Sequence, residues 1–121
     1  MSKNKQRIKF IVNPFAGIGK KKNLQSQLDQ YLDQSIFDYQ IEFTDRPGHA
    51  SQIAAQAVQE NFDIVVAVGG DGSVNEVAAS LIGTDKTLGI IPAGSGNGFA
   101  THLGYSRNII EAIKSLNTAV T

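Results

Sequence analysis

Cysteine is absent from the 121-residue sequence, so disulfides and thiolate-held metals are excluded at the outset. Missing too is any apolar run near membrane-spanning length, and the N-terminus has no apolar signal-peptide core. These absences lead us to expect a cytoplasmic protein. Neither sign of charge is in excess, because 11 Lys+Arg balance 11 Asp+Glu. With a pI near 6.7 and no aromatics interleaved among the basic residues, no nucleic acid partner is expected. Internal repeats and low-complexity linkers are lacking. The length fits one domain, and 41% apolar residues can fill its core. Acids are also absent from the first 22 positions, where seven of the eleven basic residues lie: Lys3, Lys5, Arg7, Lys9, Lys20, Lys21 and Lys22. Lys3 to Lys9 read as a solvated, fraying terminus. Lys20 to Lys22 read as a solvated helix start or as phosphate contacts.

The stretch at 62–83 organises the rest. Ile64 to Val68 is an unbroken, mostly β-branched apolar run, suited to a strand buried on both faces of a parallel sheet. Gly69-Gly70-Asp71-Gly72-Ser73 stops it. Val74, Val77, Ala78, Leu81 and Ile82 then fall on one helical face, and Gly83 is a C-terminal stop. A strand, a tight glycine loop and a helix N-terminus leave backbone N–H groups free where the helix dipole favours phosphate. Asp71 would repel an anion there unless a cation stood between them, so Asp71 is expected to hold Mg²⁺ while the amides hold phosphate. The plainer alternative is a turn in which Asp71 caps the helix.

In chain order, Ile8 to Val12 reads as the first strand, ended by Asn13-Pro14. The loop at 15–20 follows; it is neither a dinucleotide fingerprint, since Lys22 stands where a third glycine belongs, nor a Walker A loop. A helix with Leu24, Leu28, Tyr31 and Leu32 on one face comes next. Residues 39–44 alternate as the second strand, and Asp45-Arg46-Pro47-Gly48 is a turn. Ala50, Ile53, Ala54, Ala57 and Val58 mark the second helix. After the central unit, Leu88 to Ile91 forms a fourth strand and 92–98 a third glycine loop. Ile109, Ile113 and Leu116 mark a last helix, and Ala119-Val120-Thr121 looks like a strand cut short. The alternation predicts a doubly wound, mostly parallel α/β sheet with helices on both faces. Glycine loops after strands one, three and four, with Thr44 closing strand two, put all four features on the carboxyl edge where such sheets bind ligands. Taken by itself, Thr44's hydroxyl reads better as a backbone cap at a strand end. His49 reads as a helix-start or turn residue, and His102 as packed or solvated.

Gly69 to Val77 and Ile91-Pro92-Ala93-Gly94-Ser95-Gly96-Asn97 together resemble the diacylglycerol kinase and sphingosine kinase family, which includes bacterial lipid kinases. Asn13-Pro14-Phe15-Ala16-Gly17 is similar to the family's opening motif, and Thr44 with Gly48-His49-Ala50 to its second. The resemblance implies transfer of the γ-phosphoryl group of ATP to a lipid hydroxyl, with Mg²⁺, in a cleft between two domains. Residues 1–121 would be the nucleotide-binding domain. A β-rich second domain, outside this chain, would carry the lipid contacts and the general base.

By the same resemblance, Asn13, Pro14 and Gly17 would line the nucleotide cleft and Thr44 would place its hydroxyl near the nucleotide. Gly70, Gly72 and Ser73 would cradle phosphates, Gly69 and Val74 would also belong to the nucleotide site, and Asp71 would be the catalytic residue, acting through Mg²⁺. Asn75 and Glu76 would orient the loop or bind nucleotide, and Gly94, Ser95, Gly96 and Asn97 would complete the site. Ser95 stands where many members have threonine. Gly98 follows Asn97 where many diacylglycerol kinases have aspartate, which is closer to the sphingosine kinase pattern and leaves the acceptor open. The implied partners are ATP and a lipid acceptor at a membrane surface, reached peripherally through the second domain. Without that domain the chain is expected to transfer no phosphate, and apolar surface on the final helix and at the edge after Val120 would favour a homo-oligomer. The competing readings are an NAD kinase-like enzyme, which shares the Gly69 to Gly72 loop, and a noncatalytic nucleotide-binding fragment.

Overall fold

The computed structural model describes residues 5–13, 21–92 and 111–117. Four strands, β1 (Gln6–Val12), β2 (Phe37–Phe43), β3 (Ile64–Gly69) and β4 (Thr87–Pro92), alternate with α1 (Lys21–Tyr31), α2 (His49–Gln59) and α3 (Asp71–Leu81). Residues 111–116 are also helical. All pairings are parallel and the sheet order is β2-β1-β3-β4.

This order follows from the alternation and the handedness of parallel crossovers. From β1 the chain moves outward to β2, then returns across β1 to β3 and continues to β4. Right-handed connections running in opposite directions lay their helices on opposite faces. One face buries Leu24, Leu28 and Leu32 of the first helical region and Ile113 and Leu116 of the last, against Ile8, Phe10, Val12, Val66 and Val68. The other buries Ala50, Ile53, Ala54 and Ala57 of α2 and Val77 and Leu81 of α3, against Ile11, Val65 and Ala67. β3 is buried along its whole length, as its uninterrupted apolar run requires. The chain is thus the doubly wound parallel α/β sheet that the alternation predicts.

Several local readings change: α3 begins at Asp71, inside the expected glycine loop, and β4 runs one residue beyond each expected end. β2 begins at Phe37, two residues before the expected start, because Phe37 is fully buried and extends the alternation. Ile82, expected on the apolar face of α3, is 81% exposed. The helix stops at Leu81, Ile82 turns extended (φ −60°, ψ 131°), and Gly83 takes φ 83°. Gly83 is therefore the expected stop, placed one residue beyond the cap.

Arg7 and Lys9 are not a fraying terminus. Lys9 is 6% exposed in β1, its Nζ 3.0 Å from Gln40 Oε1, 3.2 Å from Glu42 Oε1 and 4.9 Å from the centre of the Phe62 ring. Arg7 lies over the same ring at 4.0 Å and donates to the Glu60 carbonyl at 2.6 Å. A buried ammonium persists because carboxylate, amide and ring replace its water. Of the surface expected to favour association, Val120 lies outside the described residues, while Ile113 and Leu116 are buried against the sheet.

Tyr39 packs edge-on to Phe10 and donates its hydroxyl to Asp29 Oδ1 at 2.7 Å. Burial first, and then the Asp29 carboxylate, push the phenol up from 10.0 to about 12. The neutral form is favoured by folding, so this contribution is complete below pH 10 and is lost as pH rises to about 12. Urea unfolding across that window should show wild type losing stability relative to Tyr39→Phe. Parallel slopes for the two would contradict the assignment. At neutral pH, Leu81→Ala should cost ~2–5 kcal/mol and Ile82→Ala less than ~0.5 kcal/mol. Equal losses in chemical denaturation would return Ile82 to the core.

Candidate functional site

The carboxyl ends of β1 and β3 meet where the winding reverses, the place at which open α/β sheets form a crevice. Asn13 leaves β1 with its N–H donated to the Val68 carbonyl at 3.1 Å, which holds it beside the end of β3. The Thr44 N–H donates to the Val12 carbonyl at 2.9 Å, and its hydroxyl lies 3.5 Å from the same oxygen. The backbone bond fixes Thr44 at the strand end; the hydroxyl contact is at the limit of a hydrogen bond.

Gly69 ends β3 at a point where a side chain would be tight. A Cβ there would meet Ser73 Oγ at 3.1 Å, Ser73 Cβ at 3.2 Å and Asn13 Cβ at 3.4 Å. Gly70 is the N-cap of α3 in extended conformation, without a side-chain cap. The first helical bond runs from Val74 N–H to the Gly70 carbonyl at 3.1 Å. Among the described residues, the amides of Asp71, Gly72 and Ser73 find no acceptor at the positive end of α3. Asp71 lies exposed in that first turn. It is not the N-cap, so the capping alternative is not what the fold adopts.

Beside this helix start is a cleft of about 340 Å³. Asn13 lies at its base, Thr44 to Pro47 and Ala50 form one wall, and Gly72, Ser73 and Glu76 form the other. Of the expected site residues, the cleft therefore gathers Asn13, Thr44, Gly72, Ser73 and Glu76, with Gly69 packed against two of them. Val74 packs toward the core, and its N–H is already bonded to Gly70. Asn75 is exposed on α3 and does not line the cleft. Pro14, Gly17, Gly94, Ser95, Gly96 and Asn97 lie outside the described residues, as do Lys20 and His102.

Asp45, Arg46 and Pro47 went unread as site residues because their composition signals only a turn. Their position directly after β2, on the ligand-binding edge, is the signal that could have marked them. The Arg46 guanidinium pairs with Asp45 Oδ1 and donates to Gln52 Oε1 at 2.9 Å. His49 Nδ1 lies 3.0 Å from the Asp45 N–H and 3.1 Å from Asp45 Oδ1. One nitrogen cannot accept from the amide and donate to the carboxylate. Acceptance satisfies the amide, while Arg46 satisfies the carboxylate, so His49 closes the turn as its place at the helix start suggested.

The sheet order and the alternation of strands and helices are those of a doubly wound α/β domain. Residues 7–121 match the family model described as the diacylglycerol kinase catalytic domain, and the chain belongs to that family. A diacylglycerol kinase of Bacillus subtilis (strain 168) is 35% identical over 117 residues, covering 95% of this chain and 38% of that protein. Sphingosine kinase B of Dictyostelium discoideum is 29% identical over 118 residues, covering 92% and 16%. The crystal structure of a diacylglycerol kinase from Bacillus anthracis str. Sterne aligns with a TM-score of 0.69 at 32% identity, covering 95% of this chain and 43% of that one. The chain thus spans less than half the length of these relatives.

The crowding at Gly69 makes a separable prediction. Gly69→Ala should lower unfolding stability by ~1–3 kcal/mol, because the Ser73 and Asn13 side chains must give way to the new methyl. Gly70→Ala, with nothing within 4 Å of its new methyl, should fall well short of that. Urea midpoints of both variants check this; equal shifts would mean that Ser73 and Asn13 yield freely.

Proposed function

We propose that residues 1–121 are the nucleotide-binding domain of a lipid kinase, completed by a β-rich domain outside this chain that contacts the lipid and supplies the general base. The reaction is transfer of the γ-phosphoryl group of ATP to the hydroxyl of a diacylglycerol- or sphingosine-like lipid. The observation that carries this reading is the set of three amides at Asp71, Gly72 and Ser73 that have no acceptor among the described residues, beside a cleft lined by Asn13 and Thr44. Membership of the family and the names of the relatives support the reaction class.

In this reading the amides and the Ser73 hydroxyl bind phosphate oxygens. Asn13 and Thr44 orient the nucleotide from the strand ends, and Pro14, Gly17 and residues 94–97 complete the cleft. Among the described residues no group of three or more acids or histidines could hold a metal alone. One exposed carboxylate beside phosphate-binding amides suits Mg²⁺, which takes few protein carboxylates and keeps phosphate and water oxygens. Asp71 is that carboxylate. When bound, the ion neutralises charge on the transferring phosphoryl group. The acceptor is met at a membrane surface, with the enzyme peripheral on its cytoplasmic side. Among the described residues no helix is long and apolar enough to cross a membrane.

The test is Asp71→Asn with ATP titrations, with and without Mg²⁺. Mg²⁺ should strengthen ATP binding to wild type and lose that effect in the variant. The melting temperature should move little, because an exposed first-turn acid contributes ~0.3–1 kcal/mol through the helix dipole. The 121-residue chain should transfer no phosphate from labelled ATP to diacylglycerol vesicles. Equal Mg²⁺ dependence in both variants would remove Asp71 from the metal site; failure of wild type to bind ATP would overturn the nucleotide reading.

A further inference from the structure

Glu76 is a carboxylate in the wall of a cleft otherwise suited to anions, and its bonds give a reason for its presence. Its Oε2 lies 3.3 Å from the Gly48 N–H. Gly48 is the N-cap of α2, held at φ 83° with no side-chain cap of its own. A capping-box glutamate reaches back to the N-cap amide of its own helix. Here the glutamate of α3 reaches the N-cap of α2.

Further along the same two helices, the Ser51 hydroxyl donates to the Glu76 carbonyl at 3.4 Å. The Ser80 hydroxyl lies 3.2 Å from that carbonyl and 3.3 Å from the Ser51 carbonyl. These contacts bind helix to helix, but among the described residues only the Glu76 carboxylate joins the start of α2 to a cleft-lining position of α3.

We propose that Glu76 is a positioning residue that sets the spacing between the two cleft walls, and that it contacts neither metal nor nucleotide. Its acceptor oxygen fixes the 44–48 wall against the middle of α3. The part played by nucleotide in this proposal rests on the reading of the cleft given above. The clamp itself does not.

Three variants of the 121-residue chain separate the outcomes. Glu76→Gln keeps an oxygen that can accept from Gly48, and should bind ATP within about twofold of wild type. Glu76→Ala should bind both ATP and inorganic tripolyphosphate about tenfold more weakly, the scale of one lost charge-assisted hydrogen bond. Ser80→Ala loosens the same pair of helices away from the cleft, and should lower the melting temperature without changing either affinity. Exchange of the Gly48 amide, followed by NMR, should be faster in Glu76→Ala than in wild type and stay slow in Glu76→Gln.

A Gln variant as weak as Ala would show that the charge itself is needed, as for a metal ligand. Loss of ATP but not tripolyphosphate binding in the Ala variant would indicate direct contact with the nucleoside. Unchanged affinities in Glu76→Ala would also overturn the proposal. If wild type binds no ATP, the nucleotide reading fails by itself and Gly48 exchange decides the clamp. Unaltered exchange in Glu76→Ala then rejects it.

Discussion

Parallel pairing of β1 with β3, in a register that runs from Ile8 opposite Ile64 to Val12 opposite Val68, is the contact on which the rest of the domain depends. It joins segments far apart in sequence and places the reversal of winding between two buried strands. From that reversal follow the division of helices between the faces and the meeting of Asn13 with the end of β3. A slip of one residue would turn Phe10 and Val12 away from α1 and exchange the two cores. The site therefore inherits its geometry from apolar side chains that never touch it.

Much of the fold was legible because three signals agreed: the β-branched run at 64–68, helical spacing in 50–58, and the glycines that end strands. The errors have physical causes. Ile82 continues the helical period of α3, but periodicity says nothing about where backbone bonding stops, and the Gly83 turn stops it. Lys9 looked solvated because charge patterning ignores pairing, and its partners Gln40 and Glu42 arrive from the neighbouring strand.

The site was legible only in part, for a related reason. Gly69 to Glu76 is continuous in sequence, but a helix turns about 100° per residue and cannot present it all to one cleft. Gly72, Ser73 and Glu76 face the cleft, Val74 faces the core, and Asn75 is exposed. The opposite wall, Asp45 to Pro47, carries turn chemistry alone. Its place beside the helix start exists only once β2 has paired with β1.

The central position of β1 also affects the order of events during synthesis. β1 is made well before its neighbour β3, which begins with Ile64, so roughly 50 residues must emerge before it can be flanked by both β2 and β3. At ~5–20 residues per second that is a wait of roughly 3–10 s. During it Phe10, Ile11 and Val12 can shelter only against β2 and α1, with one strand edge open to other nascent chains. Arg7 and Lys9, charged residues within that same strand, are the kind of side chain that discourages such an edge from pairing with a stranger. Once Phe62 arrives, both cations settle over its ring, and Lys9, which guarded the waiting strand, is buried in the finished sheet.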